Sequence, residues 1–312
     1  MPHPEPIVTA CIPYYAGKRY IRRAVESLLA QTCRDLRVIV VNDGDAEGPW
    51  DQLRSLRDPR LVGFNLSRNH GGPFFANAVV VDAIESPWFL VQEQDDWSDP
   101  RRVAYLLELT RGGAVDVAVS AQFFHREDNY GRSTPVGIRW RHVGHAKCPA
   151  CPPGAECEEC FVDTGLTARY RYRAPHAGLF NTRLLRRIGG YYIGLNLHYD
   201  SLLLNLLLMT GTIAHSPFPL YHRVLRADSI THAAHTGFGS QPSNEERRAV
   251  FDLYERSFRE YQRYLRGELN SEGLAEAIRH RGHGRLGAQQ RSELAFETNR
   301  LRAHLEQCRW HN

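Results

Sequence analysis

The chain has 312 residues, 42% of them hydrophobic and 24% charged, with 39 basic and 35 acidic side chains giving a net charge of +4. This is the composition of an ordinary water-soluble globule, and the charge is too mild to imply nucleic acid as a partner. No stretch reaches the roughly 18 apolar residues that a bilayer span needs. Met1 to Pro6 is polar and Pro-rich, with no basic segment leading into an apolar one, so no signal peptide is expected and the expected location is cytoplasmic. The length accommodates one large α/β domain with appendages or two small domains.

Residues 6–12 form a short apolar strand stopped by Pro13. From Tyr20 to Gln31, the residues Tyr20, Ile21, Ala24, Val25, Leu28 and Leu29 fall on one stripe, which predicts an amphipathic helix. Leu36 to Val41 is apolar and β-branched apart from Arg37, and it stops at the turn Asn42-Asp43-Gly44-Asp45. A third strand is expected at Leu61 to Phe64, a helix from about Phe74 to Ile84, a strand at Trp88 to Gln92, a helix from Pro100 to about Arg111 and a strand at Val115 to Ala121. Strands alternating with helices argue for a largely parallel sheet. Residues 125–175 are irregular and rich in Arg, His, Gly, Pro and Cys. Helical signals return at Thr182 to Ile188 and Tyr199 to Met209. Ser243-Asn244-Glu245-Glu246 reads as a capping box opening a charged helix to about Arg266, and a further helix interrupted around His280 to Gly287 is expected at the C-terminus.

Three strand ends carry polar groups. Ile12-Pro13-Tyr14-Tyr15 offers an aromatic pair that can flank a base, and Val41-Asn42-Asp43-Gly44 offers a carboxylate that can accept a base N–H. The apolar run Pro87 to Val91 ends in Gln92-Glu93-Gln94-Asp95-Asp96-Trp97. In open α/β sheets ligands sit beyond the carboxyl ends of strands. Carboxylates there can hold a hard divalent cation that also binds substrate phosphates. Singly, each of these segments also reads as turn chemistry.

Ile7-Val-Thr-Ala-Cys-Ile-Pro13, Ser27-Leu-Leu-Ala-Gln-Thr32, Val40-Val-Asn-Asp-Gly44, Arg68-Asn-His-Gly-Gly72 and Gln94-Asp-Asp-Trp97 together resemble family 2 glycosyltransferases of the GT-A fold. The similarity runs in outline over residues 6–232 and is most specific over 7–100. It implies an α/β fold with a GT-A-like, Rossmann-type mixed sheet flanked by helices. It also implies a nucleotide-sugar donor, most often UDP-linked, a divalent cation (Mn2+ or Mg2+), and transfer with inversion at the anomeric carbon. Carried over by position, Pro13 and Tyr15 line the base pocket, Asp43 contacts the uracil-like edge, and Arg68 falls on the nucleotide side. Glu93 stands where the family usually has an Asp that contacts the ribose, and Gln94 follows it. Asp95 matches the metal-binding position, with Asp96 beside it. The segment Gly189-Gly-Tyr-Tyr192 through Asp200 looks like the one in which an acidic pair opens the base helix; here Tyr199 replaces the first member, leaving Asp200 as the candidate base. His198 is a weaker substitute. Pro219-Leu-Tyr-His-Arg223 resembles the closing loop, where Arg223, or alternatively Arg226, would pair with the diphosphate.

Cys148-x2-Cys151-x5-Cys157-x2-Cys160 offers four thiolates with tight Pro and Gly turns between them. In a chain without export signals that spacing favours a structural Zn2+ knuckle over free thiols or local disulfides. The organisation expected is a GT-A domain over 1–235, followed by a helical C-terminal extension over 236–312 that offers surfaces for a homo-oligomer. Within the GT-A domain the donor half covers about 6–122 and the acceptor half about 123–235, with the Cys-rich insert near 140–170. Nothing names the acceptor, although the absence of an apolar span favours a soluble one. Two readings compete. One is a zinc-knuckle RNA- or partner-binding module using Arg139, Arg141, His142, His145, Lys147 and the basic stretch Arg279 to Arg285, which would not need Glu93, Asp95, Asp96 and Asp200 together and lacks the aromatic interleaving of a stacking platform. The other is a nucleotidyltransferase, which leaves the 189–200 segment without a purpose.

Overall fold

The computed structural model describes residues 5–127, 133–139, 177–226, 229–230 and 236–308. The elements in chain order are β1 (Val8–Tyr14), α1 (Lys18–Leu29), β2 (Leu36–Asn42), α2 (Trp50–Leu53), β3 (Leu61–Asn65), α3 (Pro73–Ala83), β4 (Trp88–Val91), β5 (Trp97–Ser98) and α4 (Arg102–Leu109). They continue with β6 (Val117–Glu127), β7 (Ser133–Arg139), β8 (Gly178–Asn181), α5 (Thr182–Arg187), α6 (Tyr199–Thr210), β9 (Ile213–Leu225), α7 (Gln241–Leu265), α8 (Ser271–His283) and α9 (Ala288–Gln307). Among the described residues no helix is long and apolar enough to cross a membrane.

The strands form one sheet in the order β3-β2-β1-β4-β8-β6-β9-β5, with β7 paired to β6. The first four run parallel, in register Val8↔Leu36 and Val8↔Trp88, so the C-terminal ends of β1, β2 and β4 emerge along one edge. Beyond β4 the sheet turns mixed: β8 is antiparallel to both β4 and β6, while β9 runs parallel to β6. The parallel arrangement expected from the βα rhythm therefore holds for the first half only. β1 and β2 are buried along their whole length, as strands covered on both faces must be. Their side chains alternate between two apolar layers: Cys11, Ile39 and Val41 face α3, while Ala10, Ile12, Val38 and Val40 face α1 and α4.

The layer over α3 also takes Leu202, Leu203 and Leu207 of α6, Val250, Leu253 and Tyr254 of α7, Leu274 and Ile278 of α8, and Leu301 of α9. The C-terminal helices therefore pack into the same core as the N-terminal sheet. The start of α7 corrects the sequence reading. Ser240 is its N-cap, accepting from the Ser243 N–H at 3.3 Å, and Pro242 sits in the first turn. Ser243 is consequently a helical residue whose hydroxyl is turned to another partner. β9 runs through Pro219 to Arg223, the segment expected as a closing loop, although prolines disfavour a central strand. The register slips between Ser120 and Ala121, which pair with Ser216 and Pro219, and that irregularity lets the strand continue past its prolines.

Candidate active site

β1 ends at Tyr14, and the next two residues are held by distant side chains. The Gln94 amide spans the Tyr15 backbone, accepting its N–H at 3.0 Å and donating to its carbonyl at 3.0 Å. The Ala16 N–H donates to Asp45 Oδ2 at 3.2 Å. A Cβ at position 17 would lie 2.4 Å from Gln94 Oε1, so glycine there is what lets the amide lie against the backbone. Tyr15 is left 53% exposed, its ring free of the core, while Pro13 is buried.

β2 ends at Asn42, whose amide closes the next turn by donating to the Asp45 carbonyl and accepting the Asp45 N–H. Asp43 is buried and takes the His70 N–H at 2.8 Å, with the Gly71 and Gly72 N–H groups adding to the cradle. Burial outweighs these donors and pushes the Asp43 carboxyl up to about 6. Gly44 has φ +73, and a Cβ on it would sit 2.3 Å from the Asn69 nitrogen; only glycine fits both the conformation and the approach. Arg68 pairs with Glu293 of α9 while lowering Asp43 through its charge.

β4 runs into the acidic turn. The Glu93 N–H donates to the Tyr221 hydroxyl at 3.1 Å, and β5 then pairs antiparallel with β9, so that the turn lies against the 221–226 segment. Asp95 Oδ2 accepts from Arg226 Nε at 2.7 Å, and Arg226 also stacks over the Tyr20 ring. Asp96 is buried and its Oδ1 accepts the Val224 N–H at 2.7 Å. Burial raises both carboxyls; Arg226 opposes this at Asp95, and at Asp96 the Asp95 charge adds to it while Arg223 opposes it. Arg102 forms the floor. It is fully buried and donates to Gln92 Oε1 at 3.1 Å, Ser98 Oγ at 2.8 Å and the Val91 carbonyl at 3.1 Å, with burial lowering it to about 10. Arg23 donates to the Asp95 carbonyl at 2.9 Å and stacks on Trp97.

Asp200 sits half-buried in the first turn of α6, its Oδ1 accepting the Ser201 N–H at 2.8 Å. The link to the acidic turn is Tyr191. This tyrosine is fully buried, and among the described residues its hydroxyl has no hydrogen-bond partner. Burial first, then the charges of Asp200 and Glu93, raise it well above the usual range, so both carboxylates act on one phenol. His198 is committed elsewhere, with Nε2 2.9 Å from Ser243 Oγ.

The structure thus brings Tyr15 against Gln94, Glu93 against Tyr221, and Asp95 and Asp96 against Arg226 and Val224, with Asp43 at the end of β2 and Asp200 in the first turn of α6. Sequence reasoning missed Arg102, and it marked the segments of Tyr191 and Tyr221 without giving either tyrosine a part. Arg102 reads as one more helix cation, and the tyrosines carry no spacing signal; only the fold places them under the carboxylates. The four knuckle cysteines, together with Arg141, His142, His145 and Lys147, lie outside the described residues.

The donor set suits a hard divalent cation, since Asp95 and Asp96 offer adjacent carboxylate oxygens whose buried charge a cation would offset. No cluster of three or more His, Cys, Asp or Glu is assembled for a metal among the described residues. The fit is therefore to the mode in which one or two carboxylates and the substrate's phosphates share the ion. Asp95 and Asp96 are the residues that could hold it.

Residues 9–163 match the family model described as Glycosyl transferase family 2. That segment, just under half of the chain, is a family 2 glycosyltransferase domain by its sequence. Curated relatives include the succinoglycan biosynthesis protein ExoO of Rhizobium meliloti, 32% identical over 114 residues that make up 36% of this chain and 32% of that protein. An uncharacterized glycosyltransferase of Rickettsia prowazekii is 48% identical over 105 residues, 34% of this chain and 32% of that protein. The matched stretches thus span about a third of these relatives' lengths. Among solved structures, S. aureus TarS 1-349 in complex with UDP-GlcNAc aligns with 98% of this chain and 93% of that one, at a TM-score of 0.59 and 15% identity. That likeness establishes the fold: a mixed, helix-flanked α/β sheet resembling GT-A glycosyltransferases.

Proposed function

We propose that this family 2 domain transfers a sugar from a UDP-linked donor to an acceptor hydroxyl or amine with inversion, using Asp95, Asp96 and a divalent cation at the diphosphate. The observation that carries the reading is the buried acidic turn at the end of β4, its Asp95 paired with Arg226 and its Asp96 under the charge of Arg223. The TarS complexes with UDP and UDP-GlcNAc, on the same fold, support a uridine donor.

Tyr15 and Pro13 would flank the base, and Asp43 would accept its N–H. Glu93 would take the ribose, and Arg223 and Arg226 the phosphates through their planar forks. The cation, when bound, supplies Lewis-acid stabilisation of the departing diphosphate. Asp200 takes the proton from the acceptor as its nucleophilic atom bonds to the anomeric carbon. The carbon–oxygen bond to phosphate breaks and its electron pair leaves with UDP. Substrate turnover tests the function: release of UDP from a panel of UDP-sugars with manganese should exceed the protein-free rate for at least one donor. No release from any donor, with or without added acceptors, would count against it.

The pH dependence of binding checks Asp43. A base N–H needs the carboxylate form, so UDP affinity should hold above about pH 6 and weaken as pH falls through the Asp43 pKa of about 6. Well below that pKa the loss levels off at about 10- to 100-fold, the worth of one hydrogen bond to a charged group. The UDP phosphate titrates nearby, so Asp43→Asn is the control, and its profile should be flatter than the parent's. Superimposable profiles would remove Asp43 from the base pocket.

We further infer that Cys148, Cys151, Cys157 and Cys160 bind one structural zinc, on the strength of their paired spacing. Metal analysis should find about one tightly held zinc in the parent and none in a variant lacking all four cysteines. Equal zinc in both, or disulfide-bonded native cysteines, would refute the assignment.

A further inference from the structure

We propose that Glu246 of α7 is a positioning residue for Asp200, an inference that rests on Asp200 being the base. The carboxylate of Glu246 reaches out of the helix to the loop before α6, one oxygen accepting the Asn196 N–H at 2.9 Å and the other the Leu197 N–H at 2.6 Å. The next residue, His198, has φ 60 at the N-cap of α6, a left-handed conformation that a β-carbon disfavours. Its ring is held by the same helix turn, through Ser243 Oγ, and lies 5.3 Å from the Phe238 ring. Asp200 follows two residues later. The strained residue that aims the first turn of α6 is thus fixed from both sides by the first two turns of α7. Strained residues persist where their surroundings over-determine them, and they concentrate at functional sites.

The held loop also touches the donor side. A Cβ on Gly72 would lie 3.0 Å from the Asn196 carbonyl oxygen, and the 70–72 backbone is the cradle of Asp43. Asn196 therefore stands between the donor cradle and the base helix. The C-terminal extension, outside the segment that matches the family model, in this way reaches the chemistry through one side chain. Bidentate capture of two successive N–H groups needs two acceptor oxygens. Glutamine keeps one and turns an NH2 against the other N–H.

The test measures UDP release from the UDP-sugar the parent turns over, together with UDP affinity in manganese, for Glu246→Gln, Ser243→Ala, Asp200→Asn and a control. The control is Glu245→Gln, whose carboxylate contacts Gln241 on the exposed face. Glu246→Gln should lower kcat by about tenfold or more while KM for the donor and the Kd of UDP stay within about threefold, because a small misplacement of a reacting group is costly to rate alone. Ser243→Ala should lower kcat less, and the control should not change it. A staple with no catalytic consequence would lower thermal stability and leave turnover per folded molecule intact; that result overturns the proposal. If Glu246→Gln does not fold, an unchanged kcat in Ser243→Ala overturns it. Parent-like turnover by Asp200→Asn, or no UDP release by the parent itself, removes the base assignment and this inference with it. An inactive Asp200→Asn beside a normal Glu246→Gln removes this inference alone.

Discussion

Replacing Asp200 by Asn is expected to cut sugar transfer by about 100-fold or more while UDP binding is retained, the scale of general-base removal. Asparagine keeps the shape of the side chain and an oxygen to accept the Ser201 N–H, so the first turn of α6 should survive the change. What disappears is the charge that takes the acceptor's proton, along with one of the carboxylate charges acting on Tyr191. The donor contacts proposed above come from the ends of β1, β2, β4 and β9, and Asp200 is not among them. Comparing single-turnover rates with UDP affinity separates the two effects. Near-normal transfer would move the role to another group.

Asp95→Ala is expected to abolish the manganese dependence of UDP binding, a loss on the order of 10- to 100-fold in metal affinity. The prediction concerns the difference between binding with and without metal. Deleting this carboxylate removes one partner of Arg226, now 2.7 Å away, and leaves more of its positive charge to attract a phosphate. Metal-independent binding can therefore persist or rise while the metal-dependent increment vanishes. Asp95→Asn keeps the size of the side chain and one acceptor for Arg226, so it guards against a destabilised fold as the cause. Calorimetry with and without manganese provides the measurement. An unchanged increment in both variants would remove Asp95 from the metal site.

The sequence carried the donor half well because its signals are local. β1, β2 and β4 are apolar runs buried on both faces, and each stops at a polar turn that can be read without knowing what packs on it. Helix α1 lies on one stripe. The second half depends on partners far along the chain. β8 has four residues and is specified by its neighbours β4 and β6, while β9 carries prolines that its irregular register absorbs. The site follows the same division. Asp43, Asp95 and Asp200 are visible at their positions, but the ion pair of Asp95 with Arg226 spans 131 residues. The Glu246 contacts to 196 and 197 span about 50. A capping box read at Ser243 was a reasonable local inference. The helix starts three residues earlier because Ser240 caps it with Pro242 following, which frees Ser243 and Glu246 to hold the base loop.

The most direct test of a uridine-diphosphate site completed by a divalent cation is the thermal stability of the parent protein with a panel of nucleoside diphosphates, each with and without manganese. A ligand that binds the folded state alone stabilises it by about 2.7 kcal/mol at 100 times its Kd, which corresponds to a rise of several degrees. The expected result is the largest shift with UDP, present with manganese and much reduced without it. Equal shifts for every base and no effect of manganese, or no shift at all, would contradict the assignment.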